Sequence, residues 1–247
     1  MLLQCLLLIQ GAIASELSFL IVGDWGGDDD APYTTPAQIK SAVGMSKVAN
    51  VLNAEFVLAV GDNFYHDGVD DEDSKRFEQT WEDVYITDYQ SLQKDWYVIA
   101  GNHDHYGNVS AQIDYSNKNK YWNFPDYNYN IKKSFTDDNG DEKKVQIIMI
   151  DTVNLVGSVD TNDESDPIYF EQPHLEGHST LELQASTLNF LQSSIEASTA
   201  DYLFVSGHYP VYSPCSHGPT WQLKKQIQPL LEKHGVHYIS GHDHCMS

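Results

Sequence analysis

Six short apolar runs punctuate the chain, and five of them end alike. "SFLIVGD" closes on Asp24, "EFVLAVGD" on Asp62, "WYVIAGN" on Asn102, "YLFVSGH" on His208 and "VHYISGH" on His242. Each run is rich in Val, Ile, Leu and aromatic residues, the pattern of a strand buried on both faces. Each then breaks at Gly and presents a polar side chain. A sixth run, "VQIIMIDT" near Asp151, has no Gly break. Helical patterns lie between several of the runs. Thr35-Pro36 opens one, with Pro at the first helical position and Ile39, Val43, Val48, Val51 and Leu52 following. "SKRFEQTWEDVY" is another, "STLELQASTLNFLQSSI" begins with a Ser-x-x-Glu capping box, and "PTWQLKKQIQPLLEKHG" ends in a C-cap glycine, Gly235. Strands alternating with helices predict an α/β domain. Ligands of such sheets bind beyond the carboxyl ends of the strands, so the five corners are candidates for one site.

A lone Gly-Asp after a strand is usually a turn, and a lone Gly-His a hydrogen-bonded loop histidine. Five such corners in one chain favour a shared site. Two motifs enlarge the donor set. "GDNFYHDG" places Tyr65 three residues after Asp62, and "GHDH" places His244 two after His242. On an extended strand, residues i and i+2 share a face roughly 6–7 Å apart. That spacing assigns one histidine to each of two metals about 3.5–4 Å apart. The set contains no cysteine, which argues against an iron–sulfur cluster or structural zinc. Carboxylate, phenolate, amide and imidazole suit hard or borderline ions, and the phenolate favours Fe(III).

Composition then limits the partners. The chain has 247 residues, 41% of them hydrophobic, without a linker or fixed repeat, which reads as one domain. A formal net charge of −22 excludes nucleic-acid backbones and anionic membranes as partners. It also repels a phosphorylated substrate unless strong positive charge sits in the site. A ferric ion and a divalent ion bring five positive charges against three from Asp24, Asp62 and ionised Tyr65, which resolves the conflict. The first 14 residues read as a signal peptide ending in Ala12-Ile13-Ala14, the alternative being a buried first strand. The domain then runs 15–247, in a secreted or lysosomal monomer without a membrane span. Of three cysteines, Cys5 leaves with the signal, so Cys215 and Cys245 allow at most one disulfide. "NVS" marks Asn108 as a glycosylation sequon.

"GDWGG", "GDNFY", "GNHDHYGN", "GHYPVYS" and "GHDH" together resemble the purple acid phosphatases, the small animal type most of all. The likeness runs from about Phe19 to the chain end and includes "NVSAQI", "WNFP", "DTV" and "HGPT". It implies a metallophosphoesterase-type αββα sandwich of two mixed sheets flanked by helices. By motif it implies Asp24, Asp62, Tyr65 and His244 as ligands of Fe(III). Asp62 would bridge to Fe(II), Zn or Mn held by Asn102, His208 and His242. His103 and His217 match the histidines that contact phosphate and move protons, beside a metal-bound hydroxide nucleophile. His66 and His105 lie near the site in sequence, and His105 takes either a direct or a supporting role. The implied activity is hydrolysis of phosphate monoesters, with small molecules, nucleotides or phosphoproteins as substrates. A Zn or Mn phosphodiesterase and an inactive chain with a structural role are the alternatives.

The resemblance has departures. The small animal enzymes carry a disulfide whose cysteines would fall near Val156 and Gln222, and neither is present. Ser158 to His178 matches an exposed loop whose cleavage raises activity. Family members continue beyond "GHDH", so the C-terminal strands are expected to be missing here.

Overall fold

The structure, a computed structural model, describes residues 16–156 and 180–245. The expected signal peptide and the loop Ser158–His178 fall outside the described residues. The apolar runs form two sheets of four strands each. In the first, β1 (Leu20–Val22), β2 (Phe56–Val60), β3 (Asp95–Ile99) and β4 (Trp122–Asn123) are parallel neighbours in that order. In the second, β5 (Tyr129–Thr136) runs antiparallel to β6 (Glu142–Met149), while β7 (Tyr202–Ser206) and β8 (His237–Ile239) follow in parallel.

Side-chain alternation along β6 explains how the sheets stack. Ile147 and Met149 join a core shared with Val57 and Ala59 of the first sheet. Ile148 and Ile150 join a second core with Leu191, Ile195, Leu223 and Leu231 of the covering helices. Successive strand residues face opposite sides, so one strand serves both layers of an α/β sandwich. Burial of large aromatics fixes the loops that leave β1 and β2. Trp25 packs edge-on to Tyr85, Trp96 and Trp122, with centroids 5.5, 5.8 and 6.2 Å away. Phe64 meets Phe77 at 5.0 Å. Asp24 and Tyr65 are thus each held beside a fully seated ring.

The helix Pro36–Leu52 forms as its Thr35-Pro36 start predicts, with Thr35 accepting from the Gln38 amide at 3.1 Å. Its apolar residues do not make its inner face. Gln38, Ala42, Ser46 and Ala49 are buried, whereas Ile39, Val48, Val51 and Leu52 are exposed. Helix Leu181–Glu196 is capped by Thr180, one residue beyond the capping box read from sequence. The last helical pattern divides into Trp221–Gln226 and Gln228–His234, and Gly235 closes it in the left-handed region at φ 64°. Phe77–Ile86 forms a wide-turned π-type helix.

Candidate metal centre

The five corners meet at the carboxyl ends of β1, β2, β3, β7 and β8. Three of the candidate donors sit in left-handed backbone: Asp24 at φ 58°, Asp62 at φ 53° and His242 at φ 72°. Non-glycine residues adopt this region at a cost of order 1–3 kcal/mol, typically where function requires it. Close approach also explains the glycines. A Cβ on Gly61 would lie 2.5 Å from His208 Nδ1, and one on Gly101 would strike the Asp62 carboxylate.

The donors sort into two groups. Tyr65 Oη lies 2.9 Å from His244 Nε2 and 3.4 Å from Asp24 Oδ1, and His244 Nε2 is 3.5 Å from that same oxygen. On the other side, His208 Nε2 lies 3.0 Å from Asn102 Oδ1 and 3.4 Å from Asp62 Oδ1. Ligand atoms of Asp62, His208 and His242 fall within 4.8 Å of one another. The Asp62 charge also acts on the Tyr65 hydroxyl, so Asp62 bears on both groups.

The side chains of His242 and His244 part, although not in the strand geometry expected from sequence. β8 ends at Ile239, and the chain then bends, with His242 in left-handed backbone. His242 turns inward to lie 5.2 Å from the His208 ring, while His244 reaches outward to Tyr65. A strand-like i, i+2 relation does not apply. Both Asp24 oxygens accept from the His242 amide, at 3.1 and 3.0 Å, which locks the bend onto the β1 corner. The bend is pinned a second time by a disulfide between Cys215 and Cys245.

Burial raises the Tyr65 hydroxyl far above its ordinary pKa, and the Asp62 and Asp24 charges add to the effect. Burial opposes ionisation of Asp62 too, but neighbouring His208 overcomes it and holds the carboxyl well below the usual range. Burial disfavours charge on His208, and Asp62 again prevails, pushing it up to about 9. The hydrogen bond to Asp24 raises His244 above its ordinary value. Tyr65, His208 and His244 favour protons that bound cations would displace. Oxygen and nitrogen donors in two adjoining groups, with a carboxylate common to both, fit a pair of hard or borderline ions.

His103 follows Asn102 and donates its amide to Asp62 Oδ1 at 3.0 Å. Its Nδ1 lies 2.6 Å from the His66 carbonyl. A carbonyl only accepts, so Nδ1 carries the hydrogen. The His217 ring packs 4.4 Å from that of His242, and its amide donates to Asp243 Oδ1 at 2.9 Å. His66 is exposed and engaged by Asp29, 3.1 Å from its Nδ1. His105 makes a buried pair with Asp151 at 2.8 Å. Asn108 is exposed and caps the helix Val109–Tyr115.

Three supporting residues were missed by the sequence reading, although each lies inside a quoted motif. Asp104, fully buried, accepts from the amides of Asn63 and Gly101 and from Gln112, which ties the Asp62 and Asn102 corners together. Thr152 Oγ1 accepts from the His208 and Tyr209 amides at 3.1 and 2.9 Å. Asp151 accepts from the Asn154 amide at 2.8 Å. Nothing but their acidity or hydroxyl marked them in "GNHDH" and "DTV".

Residues 17–246 match the family described as calcineurin-like phosphoesterases. The chain is 43% identical over 248 residues to tartrate-resistant acid phosphatase type 5 of Homo sapiens, covering 99% of this chain and 72% of that one. It is 34% identical over 232 residues to purple acid phosphatase 7 of Arabidopsis thaliana, covering 94% and 65%. Among solved structures it resembles one titled "GAP50 the anchor in the inner membrane complex of Plasmodium", with TM-score 0.74, 27% identity and coverage of 92% and 66%. A dimetal phosphatase from Danio rerio shares the fold at TM-score 0.57 and 14% identity, with 94% and 85% covered.

Proposed function

The chain belongs to the calcineurin-like phosphoesterases, among the purple acid phosphatases of the tartrate-resistant type, and on that premise we propose that it hydrolyses phosphate monoesters at a binuclear Fe(III)–M(II) centre. The observation that carries the reading is the sorting of seven donors into two groups around Asp62. Asp24, Tyr65 and His244 would hold the ferric ion, and Asn102, His208 and His242 the divalent one, with Asp62 common to both. When bound, the ions supply Lewis acidity and an acidified water.

The chain's own groups do the rest. His103 is oriented from both ends, by its amide on Asp62 and its Nδ1 hydrogen on the His66 carbonyl. That leaves Nε2 as the atom that exchanges a proton with the leaving alkoxide. His217, held by Asp243 against His242, contacts the phosphate from the other side of the donor set. The Cys215–Cys245 disulfide supports an oxidising, secreted or lysosomal setting, and exposed Asn108 is open to glycosylation there.

The test is a phosphatase assay across pH with a visible spectrum of the same protein. Phosphate release with an acidic optimum, and a broad absorption lost in Tyr65→Phe, is the expected result. An unchanged band in Tyr65→Phe removes the iron assignment. The likeness to a structure titled as an anchor favours a second reading, binding without turnover. A metal-loaded protein that releases no phosphate would select it.

A further inference from the structure

One carboxylate outside the donor set grips the residue on which His103 leans. Asp29 lies two residues beyond "GDWGG". Its Oδ1 accepts from the His66 amide at 2.6 Å, and its Oδ2 lies 3.1 Å from His66 Nδ1. His66 in turn offers the carbonyl that accepts from His103 Nδ1 at 2.6 Å. Asp29 thus holds His66 at its backbone and at its ring, and His103 bonds to the remaining polar group. The carboxylate is itself tethered. Arg76 Nη1 reaches Asp29 Oδ1 at 3.4 Å, while Nη2 donates to the Gly26 carbonyl at 2.8 Å and Nε to Thr80 Oγ1 at 3.3 Å. Arg76 is buried, its guanidinium 5.4 Å from the Tyr33 ring centre and 5.6 Å from that of Phe64.

We propose that Asp29, anchored by Arg76, is a positioning residue for the proton transfer assigned to His103, acting through the His66 carbonyl. The inference rests on the phosphatase reading and deepens it. The His66 side chain is 62% exposed, so its hydrogen bonds, and not packing, fix where its carbonyl stands. The rings of Tyr65 and Tyr106 lie 4.7 and 5.7 Å from that of His103 and confine it. Ring contacts do not choose a tautomer; the hydrogen bond at the other nitrogen does. A half-exposed ion pair such as Asp29–Arg76 adds little to stability. Its worth here is geometric, because a small displacement of a reacting group is costly in rate. Loss of the carboxylate frees His66, and His103 then loses the acceptor that keeps its hydrogen on Nδ1 and its Nε2 on the leaving oxygen.

Leaving-group chemistry separates this role from a merely structural one. An alkoxide must be protonated as it departs, whereas p-nitrophenolate is stable enough to leave without a proton. In steady-state kinetics with the metal-loaded protein, Asp29→Ala should lower kcat for glycerol 3-phosphate about tenfold, the worth of one orienting hydrogen bond. The same variant should change p-nitrophenyl phosphate less than about twofold, with metal content intact. Asp29→Asn keeps an oxygen for the His66 amide and should recover most of the loss. Placed on His103→Ala, Asp29→Ala should cost less than about a further twofold, since the group it serves is gone. Equal losses on the two esters, or a full further loss on His103→Ala, overturns the proposal. A crystal structure of metal-loaded Asp29→Ala gives the readout without turnover. The His103 ring should leave the His66 carbonyl, and a retained bond overturns the positioning role. If the wild type hydrolyses neither ester, the phosphatase reading falls, while that crystal structure still decides the positioning.

Discussion

His105 offers a sharp test of how the two sheets hold the metal centre together. It lies three residues after Asn102, and its partner Asp151 follows β6, so the pair clamps a corner of the first sheet to the end of the second. Both side chains are almost fully buried. His105→Ala leaves the Asp151 carboxylate without this partner, at a cost of roughly 3–5 kcal/mol. For a domain of this size that is a fall in Tm of roughly 6–20 °C. Burial alone would lower the His105 pKa, but the Asp151 charge outweighs it and raises the value above 6.5. The folded state therefore keeps a proton that the unfolded state releases. The pair's contribution is complete below about pH 6.5 and declines as pH rises through the raised folded value. Urea unfolding of wild type and variant at pH 6 and pH 9 should show the larger deficit at pH 6. A deficit under 1 kcal/mol at pH 6, or one that grows with pH, would refute the reasoning. Metal affinity should fall about 10–100-fold, as for other outer partners of a ligand corner.

Asp104→Ala orphans the Asn63 and Gly101 amides and the Gln112 side chain at about 1–3 kcal/mol each; urea unfolding should show a loss of at least ~3 kcal/mol. His103→Ala should lower kcat roughly 10²–10⁴-fold while elemental analysis finds the metal nearly intact. Cys215→Ser opens a loop of sequence separation 30. Thermal unfolding should show a loss of about 3–4 kcal/mol on the chain-entropy account, and His242 and His244 should release metal more readily.

The strands that carry donors were legible because each is a compact apolar run ended by Gly. β4 and β5 were not. β4 has two residues, and β5 reads "YNIKKSFT", whose lysines and serine hide the alternation that puts Tyr129 and Ile131 in the core. In the helix Pro36–Leu52 the apolar residues misled, because small Ala42, Ser46 and Ala49 face inward and bring the helix close. The candidate donors were visible one by one, but their arrangement was not. That His242 and His244 separate depends on a left-handed residue and two Asp24 hydrogen bonds, which no periodicity reveals. The clamps Asp104, Asp151 and Thr152 stayed hidden because a buried carboxylate or hydroxyl looks in sequence like any turn residue.

The central claim is that seven side chains hold two ions around Asp62. The most direct measurement is the metal content per chain of the purified protein beside Asp62→Asn. Two ions per wild-type chain, one of them iron, with both occupancies reduced in the variant, is the predicted result. One ion or none in the wild type, or two retained in Asp62→Asn, would contradict it.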